Sequence, residues 1–122
     1  MIKVKTSSKD VGSKPLVDEF FRESHVELHQ LQRQGILCDV KISGRERRDV
    51  IPVHRCVLAC KSSYFRAMFT SQMVEASKDV IVLESVSDSI ARKLIWWCYT
   101  GHIEVTSDDI EDILDGAHML GA

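Results

Sequence analysis

Two pairs of side chains sit at spacings that could do chemistry. His25 and His29 are four apart in a stretch of helical periodicity, so they share a face, as two ligands of a metal ion would. No third ligand follows at a recognisable spacing, and the pair reads as solvated or rim histidines. Cys56 and Cys60 repeat the interval. A structural zinc set needs a second such pair, and the remaining thiols, Cys38 and Cys98, stand far from one another. Cys56 and Cys60 therefore read as small core residues. A redox-sensing role would require a lowered thiol pKa, with Arg55 and Lys61 as the cations at hand.

Catalytic patterns do not emerge. The chain has no Gly-rich phosphate loop, no nucleophile motif and no paired carboxylates in a plausible cleft. No catalytic, cofactor-binding or metal-binding residue is assigned, and an enzyme is not the expected class. The one basic run, Arg45-Glu46-Arg47-Arg48, is interrupted by Glu46 and by Asp49, with no interleaved aromatics, and reads as a solvated hairpin tip. With 16 Lys and Arg against 18 Asp and Glu, the net charge of -2 speaks against gripping a nucleic-acid backbone.

These side chains need a frame. A length of 122 residues, 44% hydrophobic and 28% charged, fits one globular domain able to bury its own core. The longest apolar run, Leu94 to Tyr99, falls far short of the ~20 residues of a membrane span. The amino terminus lacks the apolar stretch of a secretion signal, so the four cysteines are expected as reduced thiols in the cytosol or nucleus.

Residues 1–14 are polar and read as a flexible lead-in, with the domain proper over 15–122. From Pro15, the apolar residues Val17, Phe20, Phe21, Leu28 and Leu31 recur at helical steps until Gly35. Alternation predicts a strand at Leu37–Ile42, a charged turn at Gly44–Asp49 and a returning strand at Val50–Val53 with an edge-marking Pro52. Two helices should follow, over about His54–Cys60 and after a Ser62 or Ser63 cap. Val80–Leu83 reads as a buried strand by its β-branched content. A helix capped at Ser87 or Asp88 buries Ile90, Leu94, Trp97 and Cys98, and Gly101 ends it. Ile103 and Val105 suggest a short strand. A last helix after Ser107-Asp108-Asp109 is expected to turn Ile110, Ile113, Leu114 and Ala117 inward. The class is α+β: a helical cluster flanked by a small three-stranded sheet, with an opening helix that lacks an obvious partner.

The ordered set Gly35-Ile36-Leu37-Cys38-Asp39-Val40, then His54-Arg55-Cys56-Val57-Leu58-Ala59-Cys60 through Tyr64-Phe65-Arg66-Ala67-Met68-Phe69, then Tyr99-Thr100-Gly101 and Ala117-His118-Met119-Leu120, resembles the BTB (POZ) family over about residues 16–122. The helix before Gly35 looks like the leader of family members that carry kelch repeats or zinc fingers further on. The resemblance implies the BTB fold and a homodimer in which the opening helix, through Phe20, Phe21, Leu28 and Leu31, packs across a two-fold axis. It also implies that Asp39 and Arg55 lie near that interface, either as a pair favouring the correct dimer or as a local bridge within one subunit. Met73-Val74-Glu75 resembles the hydrophobic–any–Glu motif of members that recruit a cullin ubiquitin-ligase scaffold. Met73 would be the adaptable apolar anchor and Glu75 a brace for the loop, with Tyr64 and Tyr99 bordering the same surface. The implied role is an adaptor joining a cargo, bound by regions outside this chain, to a cullin, with truncated carboxyl-terminal helices. The alternative is the dimerisation domain of a zinc-finger transcription regulator that recruits corepressors.

Overall fold

The structure is a computed structural model that describes residues 13–71 and 78–121. Its elements run α1 (Ser13–Arg33), β1 (Val40–Gly44), β2 (Ile51–Val53), α2 (Arg55–Lys61), α3 (Ser63–Thr70), β3 (Val80–Leu83), α4 (Asp88–Thr100) and α5 (Ile110–Leu120). The strands form one sheet in the order β2-β1-β3. β1 and β2 are antiparallel, with Ile42 opposite Ile51, and β1 and β3 are parallel, with Ile42 beside Ile81. The alternating apolar residues set this register: Val40, Ile42, Ile51, Val53, Ile81 and Leu83 are all buried on the helical cluster. Val80, expected to be buried, lies on the outward pleat and is exposed.

Helix ends follow local chemistry. Gly35 adopts φ 70°, which lets the Ile36 amide donate to the Leu31 carbonyl and the Gly35 amide to that of Gln32, closing α1 with a Schellman turn. Of the two candidate caps before α3, Ser62 serves. Its Oγ accepts from the Phe65 amide and donates to the Leu120 carbonyl at 2.7 Å, tying the start of α3 to the end of α5. Ser87 caps α4 through the Ile90 amide.

Asp88 has a different task. Its carboxylate accepts the backbone N–H groups of Arg47, Arg48 and Asp49, and its own N–H donates to Glu46. Burial alone would raise its pKa, but backbone donors from Asp49, Arg48, Arg47 and Gly44 outweigh that and hold the carboxyl below its ordinary value. The basic hairpin tip is therefore anchored through its main chain while its arginine side chains stay in water.

Three expectations need correction. Ile103 and Val105 form no strand: residues 102–106 pair with neither sheet edge, and Ile103 instead packs on the core. α5 turns Ile113, Gly116 and Leu120 inward, leaving Ile110 and Leu114 exposed, because Gly116 is the position that fits against Leu94 and Val86. Cys56 and Cys60 are exposed, because Val57 and Leu58 supply the inward face of α2.

Candidate interaction surfaces

α1 is seated on the body of the domain through its last turns. Gln32, buried at its base, donates from Nε2 to the Pro52 carbonyl at 3.0 Å. One turn earlier, the His29 ring meets Trp96 edge-on at 4.5 Å and lies 5.8 Å from the Tyr99 ring. Burial there, and then the nearby Arg33 charge, lower the His29 pKa. His25 remains exposed, and among the described residues no group of three or more His, Cys, Asp or Glu is placed to hold a metal ion.

Several large apolar side chains on the preceding turns face solvent. Phe20 and Phe21 are 48% and 43% exposed and touch each other edge to face at 5.7 Å, while Leu28 is 37% exposed. Leu31 is half-buried, so it belongs partly to the chain's own packing. Val26 on α1 and Trp96 on α4 are exposed too, which periodicity alone did not suggest. Large apolar side chains stabilise by roughly 1.5–3 kcal/mol each when fully buried, so this face is a considerable reservoir of unspent association energy.

Asp39 and Arg55 meet within the single chain. The Asp39 carboxylate accepts the Arg55 backbone N–H at 2.8 Å, serving the first amide of α2, which its own N-cap His54 leaves without a side-chain partner. The Arg55 guanidinium donates to the main-chain carbonyls of Asp39 and of Lys78 (2.7 Å for the latter), with Phe69 5.5 Å beneath it. Its contact with the Asp39 carboxylate is looser, at 3.9 Å. Arg55 thus staples the entry of β1, the approach to β3 and the α2–α3 pair, which is the local-bridge arrangement.

Tyr64 is exposed on α3, but Tyr99 is not available to a partner: it is 2% exposed, with its hydroxyl turned into the core. That hydroxyl meets the His54 backbone N–H at 2.9 Å and His54 Nδ1 at 2.6 Å, and His54 Nε2 reaches the Ile36 carbonyl at 2.9 Å. One assignment satisfies every group. His54 carries its proton on Nε2 and donates to Ile36, while Tyr99 donates to Nδ1 and accepts the amide. The resemblance implied that Tyr99 borders the Met73 surface, but its ring is buried and its hydroxyl is held by His54. Met73, Val74 and Glu75 lie outside the described residues.

An apolar helix face, and polar staples that hold the frame behind it, are the properties of a protein-interaction module. The family model for the BTB/POZ domain matches residues 28–122, and the chain belongs to that family. It is 40% identical over 91 residues to human Kelch-like protein 13, covering 75% of this chain and 14% of that protein. It is 39% identical over 109 residues to human Kelch-like protein 5, covering 84% of this chain and again 14% of the relative. The chain therefore spans about a seventh of the length of these relatives. Among solved structures, the BTB domain of zebrafish PATZ1 superposes with a TM-score of 0.73 over 84% of this chain and 81% of that one, at 22% identity, and shares the fold.

Proposed function

We propose that this domain is the homodimerising adaptor part of a cullin-type ubiquitin-ligase substrate receptor, working in the cytosol or nucleus. The observation that carries the reading is the uncovered aromatic-and-leucine surface of α1, with Phe20, Phe21 and Leu28 exposed on a helix that is seated near its carboxyl end through His29 and Gln32. A second copy of the same helix is a self-complementary cover for such a face. The similarity to Kelch-like proteins supports the adaptor half of the reading. In it, Met73 enters an apolar pocket of the cullin amino-terminal domain, Glu75 braces the loop, and Tyr64 flanks them. Cargo is bound by regions outside this chain, and a dimer presents two cargo sites and two ligase arms, raising avidity through effective concentration.

The test is capture of a cullin amino-terminal domain by the native chain and by the double variant Met73→Ala, Glu75→Ala, both of confirmed fold and dimer mass. Loss of capture in the variant is expected. Equal capture by both would remove the loop from the account. Binding of a corepressor peptide with no cullin capture would transfer the domain to the transcription-regulator class.

A further inference from the structure

A groove of about 580 Å³ runs between α1 and the carboxyl end of α4, where Tyr99, Thr100 and the following His102 line it. Along α1 it is bordered by Arg22, His25, Val26, His29 and Arg33. Successive helical residues turn by about 100°. Arg22, Val26, His29 and Arg33 therefore share one stripe, and Phe20, Leu28 and Leu31 lie on the opposite one. Of the side chains assigned to the homodimer, only Phe21 reaches the groove, at its edge. The charge there is unmatched. Elsewhere Arg45 pairs with Glu46, Arg47 with Glu84, Arg92 with Asp49 and Lys93 with Asp109. Among the described residues Arg22 and Arg33 make no ion pair, both are exposed, and Asp18 is the one carboxylate in the lining. Glu19, Glu23 and Glu27 occupy the neighbouring flank of the helix, so the positive strip is bounded by a negative one.

We infer that this groove docks an extended acidic peptide segment of a partner protein, held at its two ends by Arg22 and Arg33. Guanidinium groups free of internal partners are the natural receivers of carboxylates, which they bind through paired N–H donors. The spacing sets the ligand. Eleven helical residues rise about 16 Å, and an extended chain advances about 3.3 Å per residue, so carboxylates about five residues apart reach both arginines. Between them, Val26, half exposed on the same stripe, offers an apolar contact to a central aliphatic side chain. The imidazoles of His25 and His102 each carry an N–H able to meet the peptide's carbonyls. The Glu19, Glu23 and Glu27 flank repels an acidic chain that strays from the groove and so fixes its course along it. The site belongs to a single chain and stands apart from the Phe20–Leu28 face, so dimerisation and peptide docking are separable.

A fluorescein-labelled peptide with Glu pairs about five residues apart around a central Leu is titrated with the native chain, and binding is read by fluorescence anisotropy at low salt. The same peptide with Gln in place of Glu, and a single-stranded thymidine oligonucleotide of equal charge, are titrated beside it. The Glu peptide is expected to bind, and the Gln peptide to bind about tenfold more weakly. Arg22→Gln and Arg33→Gln should each lower affinity about threefold, the weight of one exposed ion pair. Both variants should keep the native circular dichroism spectrum and the native mass in sedimentation. Lys41→Gln, which removes an exposed cation on the sheet, should leave binding unchanged. No binding of the Glu peptide, equal binding of its Gln counterpart or of the oligonucleotide, or the same loss in Lys41→Gln as in the arginine variants would overturn the assignment.

Discussion

The Tyr99 hydroxyl lies 2.6 Å from the His54 ring nitrogen Nδ1 and 2.9 Å from the His54 backbone nitrogen, so one side chain of α4 satisfies two buried polar groups at the start of α2. His54 in turn reaches the Ile36 carbonyl just beyond the end of α1. Three helices are thus joined through a single chain of hydrogen bonds.

Removing the hydroxyl strands both His54 groups in the core. Tyr99→Phe should destabilise the domain by about 1–3 kcal/mol, because an unsatisfied buried group costs its full desolvation. Urea unfolding reads this as a lower midpoint with an unchanged slope. An unaltered midpoint would mean that water replaces the hydroxyl.

Gly44 ends β1 against the start of α4. A Cβ there would stand 2.3 Å from the Ser87 carbonyl carbon and 2.4 Å from the Asp88 nitrogen, both main-chain atoms that cannot swing aside. Gly44→Ala should cost about 2 kcal/mol or more by overpacking and loosen the Asp88 anchorage of the hairpin tip. Thermal denaturation, together with hydrogen exchange at Arg47, Arg48 and Asp49, would show both effects.

Acid should weaken the domain through three depressed carboxyls, those of Asp109, Asp88 and Asp49. A hydrogen bond from the Lys93 ammonium, and then one from the Thr106 amide, hold Asp109 at about 2 against an ordinary 3.8. A group whose pKa is lowered by folding contributes stability above its unfolded value, and that contribution disappears as pH falls through the folded value. Asp88 and Asp49 act in the same direction. Stability should therefore fall between about pH 4 and pH 2. Asp109→Asn should be less stable than the native chain at pH 7, with the gap closing toward pH 2. A gap independent of pH would show that the Asp109 charge is not what holds the loop.

The fold was legible where burial follows the period of a single element. Val40, Ile42, Ile81 and Leu83 announced their strands, and Ile90, Leu94 and Cys98 announced α4. Gly35 and the serine caps marked helix ends because each meets a local backbone need. What escaped depended on contacts distant in sequence. Asp88 looked like a helix cap because its neighbour Ser87 is one, and its hairpin partners lie about forty residues upstream. Cys56 and Cys60 looked apolar by residue type, but only one face of a seven-residue helix meets the core, and Val57 and Leu58 occupy it. Ile110 and Leu114 misled for the same reason, since the close fit at Gly116 decides how α5 is rotated.

The outward face of α1 was legible as a helix lacking a partner, and its uncovered state in the single chain is what the functional reading rests on. Sedimentation equilibrium of the native chain and of the Phe20→Asp, Leu28→Asp double variant tests that reading most directly. Both substitutions fall on exposed positions, so the variant should keep the native circular dichroism spectrum. The account predicts twice the chain mass for the native protein and the single-chain mass for the variant. A native protein that stays at single-chain mass however concentrated it becomes would contradict it.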